Sequence, residues 1–406
     1  MWHAADLSEK LRHAATGYHF TGITSPKFDW ATFKPQRDAY IRKLNTIYEN
    51  NLSRENVEYH SGFAKLISSD TVQVTRPDGQ STYLLRADNI CIATGGRPTI
   101  PSDEIIPGAS KGIDSDGFFA LEEQPKRVAV IGAGYIAVEL AGVLNALGSE
   151  THLFIRGQKV LRTFDQDVQD TLTPWMEHTG VRMHKGTMVT RVEGDRGGPL
   201  TVHTSKGEKV TVDLVLWAIG RQANTEGIGL EDVGVAMNDK RDIVVDEYQN
   251  TNVPGIVSIG DVQGKALLTP VAIAAGRRLA NRLFGPERFK EDKLDYANVP
   301  TVVFAFVFFF FSFFGGLCDG SDFFFPFRHP TVGTVGLTEA QARAKYGDAV
   351  KICNVPPPMP SPFVPLFSTF LSLENFRPIQ IQSTVFFHDR RGSQRAYYVQ
   401  TRRRRT

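Results

Sequence analysis

Two glycines and an alanine stand at chemically meaningful spacing in the stretch VIGAGYIAVELA. Gly132 and Gly134 follow an apolar run, and Ala137 takes the third small position of a GxGxx(G/A) pattern. In such a pattern the first glycine makes a tight turn, the second lets a pyrophosphate approach the backbone, and the third small residue lets the helix lie against the strand. Amides at the helix N-terminus then face the phosphates. An ordinary tight turn is the alternative, but the second strand THLFIR completes the unit and favours nucleotide binding.

Two arginines stand where this pattern places the residue that contacts the ribose. An NAD site carries an acid at the end of the second strand, roughly 20 residues after the glycines. This sequence carries Arg156 there, with Arg162 shortly after it. Guanidinium groups bind a 2′-phosphate by charge and by paired N–H donors, whereas a carboxylate would repel it. The arginines therefore favour NADPH over NADH, with a solvated arginine loop as the alternative.

The segments that must position this turn have the periodicities of an α/β protein. Apolar residues recur at helical steps before residue 60, and short strand-like runs follow as far as residue 94. Further strands continue to LVLWAIGR, and the strand GIVSIGD precedes an apolar helix that begins near LLTPVAIAAG. We expect DWATFKPQ to form a turn between the first two helices. We expect Cys91, in the last of the early strands, to be buried.

The composition of the 406 residues excludes several classes of protein. Such a length predicts two or three domains, and a formal net charge of +2 implies no general attraction to nucleic acid or to an anionic membrane. The three cysteines, Cys91, Cys318 and Cys353, have neither the density of a disulfide scaffold nor the spacing of metal ligands. No secretory signal begins the sequence, so a reducing, cytoplasmic location is expected, with mitochondria as a further location.

Six segments together carry a family resemblance. They are IATGGRP, GAGYIAVELAGVLNALG, IRGQKVLRTFD, AIGRQANT, SIGDVQGKALLTPVAIAAGRRLANRLF and HPTVGTVGLTEAQA. With them the chain resembles the pyridine nucleotide-disulfide oxidoreductases, most closely the glutathione reductases, from Met1 to Cys353 with one interruption. GDVQGKALLTP and IRGQKVLR favour this branch over the lipoamide dehydrogenases and thioredoxin reductases.

The resemblance implies an α/β fold with two Rossmann-like dinucleotide-binding domains and a truncated α+β dimer-interface domain. The FAD domain is expected to be incomplete and the NADPH domain intact. In such enzymes NADPH reduces FAD, FAD reduces a disulfide, and the dithiol reduces oxidised glutathione within a homodimer, which maintains cell redox homeostasis. The expected divisions are 1–96 for the remainder of the FAD domain, 97–222 for the NADPH domain, 223–298 for the return to the FAD domain, 299–354 for the start of the interface domain, and 355–406 for a disordered non-family tail.

The resemblance also implies cofactor contacts. Tyr135 matches the ring that covers the flavin until NADPH displaces it. Asp261 matches the acid that binds FAD, although a turn-forming aspartate is common at a strand end. The residues that match NADPH contacts are Gly132, Ala133, Gly134, Tyr135, Ile136, Glu139, Arg156, Arg162 and Gly220. Those that match FAD contacts are Ala64, Thr94, Gly95, Asp261 and Thr269.

The printed sequence lacks two catalytic segments of the family. It contains neither the redox motif CxxxxC nor the segment HPTxxEE with the catalytic histidine. MWHAADL resembles the segment that follows the redox motif, so we expect the chain to begin just after it and Glu139 to lose its lysine partner. Neither His329 nor His388 is expected to replace the catalytic histidine. No catalytic residue is therefore predicted, and the chain as written is expected not to reduce oxidised glutathione.

A phenylalanine-rich insert, 305–328, separates PTVVF from HPTVGTVGL. Twelve of the 28 phenylalanines lie between Phe304 and Phe327. Residues 299–317 carry no charge over 19 residues, which hydropathy alone would interpret as a membrane span. Membrane association is not expected, because the run interrupts a domain that the family keeps soluble. The insert and the tail are rich in Phe, Ser, Pro and Leu, whose codons mostly begin with a pyrimidine. A translated intron would produce such segments, and this favours an error in the gene model or in splicing.

Two hypotheses of function follow. In the first, the chain represents a glutathione-disulfide reductase whose complete form is an FAD enzyme. In the second, it is an NADPH-binding module without disulfide chemistry. A yellow preparation that contains FAD would favour the first, and a colourless one that binds NADPH the second.

Overall fold

Two long helices begin the fold. The computed structural model describes residues 1–17, 19–22, 27–297, 299–305, 332–347, 350–355, 384–388 and 394–401, with side chains as far as residue 350. Helix α1 spans Trp2–Thr16 and α2 spans Trp30–Arg54. Both helices were expected from the apolar periodicity of the sequence.

The segment DWATFKPQ begins α2, and the prediction of a turn there is wrong. Asp29 caps the helix, since its carboxylate accepts a hydrogen bond from the amide of Thr32 at 3.0 Å. Trp30 is only 4% exposed, and its indole donates to the carbonyl of Leu121 at 3.0 Å. Pro35 lies inside the helix. The cap and the buried tryptophan outweigh the one backbone hydrogen bond that proline removes.

A small antiparallel sheet and two short strands follow the helices. The five strands are β1 (Phe63–Leu66), β2 (Thr71–Thr75), β3 (Thr82–Arg86), β4 (Ile90–Ile92) and β5 (Gly96–Pro98). The sheet has the order β1-β2-β3. Strands β4 and β5 pair with strands that lie far along the chain.

A four-stranded parallel sheet with the order β12-β6-β7-β8 forms the centre of the next unit. Strands β6 to β12 span Arg127–Ile131, Glu150–Ile155, Arg182–Lys185, Val189–Gly194, Leu200–Thr204, Lys209–Val212 and Leu214–Trp217. Helices α3 to α5 span Ser115–Ala120, Tyr135–Ala146 and Gln166–His178. Residues 128–131 of β6 are all buried, as in a parallel strand that is covered on both faces.

Different elements cover the two faces of the parallel sheet. Strands β9 to β11 form an antiparallel sheet in the order β11-β10-β9, and its Val202 packs in one core with Trp217. The indole of Trp217 donates to the carbonyl of Ala109 at 2.9 Å, so this large side chain is buried without an unpaired donor. On the other face Leu144 of α4 and Leu172 of α5 share a second core.

Helix α1 extends this second core. Ala5 is completely buried in it, and the guanidinium of Arg12 donates to the carbonyl of Ala146 near the end of α4. A cation at the C-terminus of a helix satisfies a free carbonyl and complements the helix dipole. The first helix of the chain is therefore fixed to the glycine-turn helix.

Two strand pairs join the sequence before the parallel sheet to the sequence after it. Strand β13 (Arg221–Ala223) pairs antiparallel with β5, and β14 (Ile256–Ser258) pairs parallel with β4. Helix α6 (Leu230–Val233) and helix α7 (Thr269–Phe284) lie in the returning segment. The chain thus leaves one sheet, builds a complete unit, and returns to the sheet that it left.

The last elements form a mixed group of one helix and five strands. They are β15 (Thr301–Val303), β16 (Val332–Thr334), α8 (Glu339–Tyr346), β17 (Val350–Val355), β18 (Thr384–His388) and β19 (Gln394–Thr401). The strands have the order β15-β16-β18-β19-β17. Strands β18 and β19 lie within the expected tail, 355–406.

The uncharged run 299–317 falls largely outside the described ranges. Residues 306–331, which hold most of the phenylalanine-rich insert, are not among the described residues. Within the ranges given above, every helix is too short or too polar to cross a bilayer.

Cys91 is exposed, and the prediction that it is buried is wrong. It lies in β4, where successive side chains point to opposite faces. Ile92 packs in a core with Ile256, whereas the face of the strand that carries Cys91 lacks such a cover. Neighbouring atoms still cover part of the Cys91 side chain, and this partial desolvation raises the pKa of its thiol, which is the opposite of what a reactive thiolate needs.

Truncating the core of α4 is expected to destabilise the fold. Leu144→Ala should lower the free energy of unfolding by about 2–5 kcal/mol, because this side chain is completely buried. The same change at Leu7 of α1, which is 50% exposed, should alter it by less than about 0.5 kcal/mol. Guanidinium chloride unfolding followed by circular dichroism measures both values. Equal losses in the two variants would contradict the packing described for α4.

Candidate dinucleotide site

Gly132 lies where β6, β7 and β12 meet. Its φ is 140°, and a Cβ atom there would stand 2.1 Å from the carbonyl oxygen of Ala218. The Gly132 amide donates to the carbonyl of Phe154 at 3.1 Å, and the Ala218 amide donates to the carbonyl of Ile131 at 2.8 Å. Both the backbone conformation and the lack of space therefore require glycine at this position.

Gly134 faces open space at the N-terminus of α4. It is the N-cap residue of the helix, and a Cβ atom built on it would meet nothing within 4 Å. Ala137 is completely buried, and its Cβ lies 3.4 Å from the position of a Cβ on Gly132. The first amides of α4 consequently point to a region that a phosphate could enter without displacing a side chain.

Arg156 and Arg162 are exposed just after β7, at the edge of the sheet where this turn lies. Neither guanidinium makes a hydrogen bond or an ion pair with any residue that the structure describes. Arg182, at the start of the neighbouring strand β8, is instead paired with Glu150. Two uncommitted cations at one end of the sheet can receive an anionic group without first breaking an ion pair.

A backbone contact brings the segment of Arg162 back to the glycine turn. The amide of Leu161 donates to the carbonyl of Ala133 at 2.8 Å. Leu161 has a φ of 54°, in the left-handed region that costs a residue with a branched side chain free energy. Its complete burial compensates for this cost and fixes the direction in which the chain enters Arg162.

Tyr135 lies within electrostatic reach of three charged side chains. Burial raises the pKa of Tyr135, the charge of Arg221 lowers it, and the carboxylates of Glu139 and Asp261 raise it. The Tyr135 side chain is 36% exposed, so it borders open space. The guanidinium of Arg221 donates to the carbonyl of Gly96 at 2.6 Å. Tyr135, from the predicted NADPH contacts, is therefore within electrostatic reach of Asp261, from the predicted FAD contacts.

Glu139 is half-buried one turn further along α4. Its Oε1 atom accepts a hydrogen bond from the amide of Phe304 at 3.0 Å. Burial raises the pKa of Glu139, and the bond from Phe304 lowers it to a smaller extent. No cation of the described residues pairs with this carboxylate.

The strand pair β4–β14 brings most of the predicted FAD contacts together. The Thr94 hydroxyl donates to the Asn224 carbonyl at 2.8 Å, and the Asn224 amide donates to the carbonyl of Gly95 at 2.9 Å. The amide of Ile259 donates to the carbonyl of Ile92 at 3.1 Å, which places the turn with Asp261 beside the Thr94 segment. The Asp261 carboxylate has no hydrogen-bond donor among the described residues, so it can accept hydroxyl groups of a ligand.

The other predicted contacts lie around these two turns. Thr269 is the exposed first residue of α7, which packs against the short 3-10 helix Gly260–Gln263 that holds Asp261. Gly220 has a φ of 144°, and its carbonyl accepts from the amide of Thr99 at 3.0 Å. Ile136 is half-buried against the core of α4. Ala64 is exposed on β1, in a different sheet from β4 and β14.

Sequence reasoning missed three residues that shape the site. Arg221 directly follows Gly220 in the segment AIGR. Gly220 was predicted to contact NADPH, but Arg221 was not. Ala218 acts through its carbonyl, and the left-handed Leu161 has no sequence signal of its own. The last two could be found only once strand pairing had placed them beside the glycine turn.

Several known proteins are similar to this chain. The sequence matches the family described as pyridine nucleotide-disulphide oxidoreductase over residues 5–276. It is 47% identical over 356 residues to a glutathione reductase from Schizosaccharomyces pombe, covering 87% of this chain and 71% of the relative. It is 46% identical over 360 residues to a glutathione reductase from Yarrowia lipolytica, covering 86% and 70% respectively. The solved copper(II) complex of RclA, an HOCl-induced flavoprotein disulfide reductase from Escherichia coli, aligns with a TM-score of 0.66 and 25% identity, over 86% of this chain and 70% of RclA.

The two glycines of the turn should respond differently to the same substitution. Gly132→Ala should lower the free energy of unfolding by about 1–3 kcal/mol, because the new methyl group would overlap the Ala218 carbonyl. Gly134→Ala should leave stability nearly unchanged, since open space surrounds that position. Thermal unfolding of both variants measures the difference. A stable Gly132→Ala variant would refute the close approach described here.

Proposed function

This chain belongs to the pyridine nucleotide-disulphide oxidoreductase family, and we propose that it represents a glutathione-disulfide reductase that takes electrons from NADPH through FAD. The observation that carries this proposal is the approach of Tyr135 to Asp261. The carboxylate of Asp261, in the acidic turn of one dinucleotide unit, acts electrostatically on the Tyr135 ring at the glycine turn of the other. The two glutathione reductases at 46% and 47% identity support oxidised glutathione as the substrate.

The glycine turn fits a pyrophosphate. Gly132 allows β6, β12 and α4 to come together, and Gly134 leaves open space in front of the helix amides. Arg156 and Arg162 would hold the 2′-phosphate of NADPH, since their guanidinium groups have no other partner among the described residues. We assign Ala133, Ile136 and Gly220 to the walls of the same site, as the resemblance implies.

The acidic turn fits FAD. The Asp261 carboxylate has unused acceptor capacity, and Thr94, Gly95 and Thr269 lie on the segments around it. Ala64 is assigned to the same cofactor by resemblance alone. When bound, FAD accepts a hydride from NADPH and passes two electrons on to a disulfide.

Tyr135 and Glu139 are assigned to the boundary between the two cofactors. The Tyr135 ring is partly exposed and would cover the flavin position until the nicotinamide displaces it. A tyrosine phenol is neutral at physiological pH, and burial moves the pKa of Tyr135 further above that range, so the ring carries no charge. Glu139, on the same side of α4, is held by the backbone amide of Phe304.

The disulfide step needs a pair of thiols, which favours a second candidate for the chain as printed. Its cysteines are Cys91, Cys318 and Cys353, none of them in a CxxxxC pair. An NADPH-binding module without disulfide reductase activity therefore stays the alternative. We further propose the domain divisions at 96/97, 222/223, 298/299 and 354/355, a homodimeric complete form, and a cytoplasmic or mitochondrial location.

Flavin content and two electron acceptors distinguish the candidates. We expect the purified 406-residue chain to be yellow and to oxidise NADPH with ferricyanide, which needs no thiol. We expect no turnover with oxidised glutathione, because disulfide exchange requires an attacking thiolate and a resolving thiol. Turnover with oxidised glutathione that disappears in a Cys91→Ser variant would overturn the second expectation. A colourless protein that binds NADPH would establish the binding module instead.

The preference for NADPH over NADH should depend on the two free arginines. Arg156→Gln and Arg162→Gln should each weaken NADPH binding roughly tenfold or more, since a charge-assisted hydrogen bond contributes about 1.5–3 kcal/mol. Binding of NADH should change little, because it lacks the 2′-phosphate. Fluorescence titration measures both affinities.

Arg191→Gln is the matched control, since Arg191 is an exposed arginine of the same unit that is paired with Glu193. Its affinity for NADPH should equal that of the unaltered protein. Equal affinities of the unaltered protein for NADPH and NADH would show that the assignment of the arginines is wrong.

A further inference from the structure

Two histidines and two glutamates form a continuous chain of contacts outside the cofactor sites. His152 Nε2 lies 3.1 Å from Glu150 Oε1, and His152 Nδ1 lies 3.0 Å from His184 Nε2. His184 Nδ1 lies 3.3 Å from Glu208 Oε2. The His184 ring stacks on Phe154, with ring centroids 4.2 Å apart and an angle of 9° between the planes. This stacking fixes the orientation of the His184 imidazole within the row of contacts.

The number of protons in this chain of contacts is set by its geometry. Three contacts between nitrogen or oxygen atoms need three hydrogens if each is to be a hydrogen bond. Two neutral imidazoles carry only two N–H hydrogens. One of the three contacts would then have a lone pair on both atoms and no hydrogen between them. Two imidazolium groups would supply four, and the contact between His152 and His184 would then join two N–H groups. A single additional proton, shared by the pair, satisfies all three contacts.

The surrounding charges favour this intermediate state. Glu150 and Glu208 stand at the two ends, while Arg182 pairs with Glu150 and Lys206 lies near His184. With one positive charge on the histidine pair, the two carboxylates and Arg182 give a sum of zero, and Lys206 adds one positive charge, so a second proton would raise the local charge to +2. A second positive charge would lie beside the first in a largely buried site, which is electrostatically unfavourable.

The chain of contacts also joins separate elements. Glu150 and His152 belong to β7, His184 belongs to the edge strand β8, and Glu208 lies in the turn between β10 and β11. The β10–β11 turn belongs to the sheet that covers one face of the parallel sheet. We propose that His152 and His184 hold one shared proton between two carboxylates and form a pH-sensitive clamp between β8 and the β10–β11 turn.

The direction of the pH dependence follows from the same contacts. Burial is the largest influence on His184 and lowers its pKa; the bond with Glu208 opposes this, and the charges of His152 and Lys206 add to it. A histidine whose pKa is lowered by folding contributes stability above its unfolded pKa of about 6.5, and loses it as pH falls through the folded value. The clamp should therefore weaken in acid, when a second proton enters the pair. It should also weaken in base, when the shared proton leaves.

Nitrogen NMR of the full chain, labelled with 15N in the histidine rings, tests the proton count. We expect the four ring nitrogens of His152 and His184 to carry three hydrogens between them, one of which bridges the two rings. The contact between His184 and the Phe154 ring identifies their signals in the unaltered protein. Independent uptake of one proton by each ring, or two neutral rings throughout the range from pH 5 to 8, would overturn the proposal.

His203 supplies the matched control. It faces Glu193 alone at 2.8 Å, and its side chain is 20% exposed, against 18% for His184. His203 has a carboxylate partner but no imidazole partner among the described residues, so no shared proton is expected there. His184→Asn, which keeps a donor for Glu208 but removes the shared proton, should lower the unfolding midpoint at neutral pH by about 2–4 °C. His203→Gln should leave the pH profile of the midpoint unchanged in shape.

A profile of the same shape in His184→Asn and in the unaltered protein would refute the clamp. Should His184→Asn fail to fold, Glu208→Gln provides the second variant, since it keeps the shape of the side chain and removes one terminal charge. We expect its loss of stability to be largest near neutral pH and smallest in acid, where the clamp is already weakened. A loss that is independent of pH would contradict the proposal.

Discussion

The close approach of Gly132 to the carbonyl of Ala218 is the constraint on which the candidate site depends. Strand β12 lies beside β6, so the chain that leaves β6 must turn next to the end of β12. A side chain at Gly132 would hold these segments apart and would move the start of α4. The positions of the first amides of α4, of Tyr135 and of Glu139 therefore depend on the contact between Gly132 and Ala218. A packing requirement between backbones thereby becomes a requirement on the chemistry of the site.

The cations of the nucleotide unit divide into those that stabilise the fold and those that do not. Arg127 is paired with Asp213 at 2.6 Å, and Lys185 is paired with Glu177 at 2.7 Å. Arg156 and Arg162 lack such partners among the described residues, although they lie in the same unit. Exposed ion pairs contribute little to stability, so the pairing mainly determines which cations remain available. An anion would bind where cations are unpaired, as at Arg156 and Arg162, and the number of basic residues matters less.

Much of this architecture could be predicted from the sequence, because its signals are local. The glycine turn, the arginines after β7 and most strands before residue 288 have periodicity or spacing that short segments determine. DWATFKPQ was mistaken for a turn because Trp30 is anchored to Leu121, a residue distant in sequence. The exposure of Cys91 depends on which elements cover β4, and no pattern within the strand itself contains that information. The pairing of His152 with His184 depends on the register of β7 and β8, in which Phe154 lies opposite His184.

The pairing of β5 with β13 has a consequence for how such a chain can be assembled. Gly96 lies directly opposite Ala223, so the segment that enters the nucleotide unit and the segment that leaves it run side by side. For the sheet that contains β4 and β14, the whole unit is equivalent to the loop of a hairpin. Closing that loop costs conformational entropy. The pairing of β5 with β13 offsets this cost, because it holds the two ends of the unit together. A unit with adjoining ends can be inserted into a surface loop of another protein with little strain on the host. The arrangement is therefore suited to the exchange of complete nucleotide-binding units between proteins.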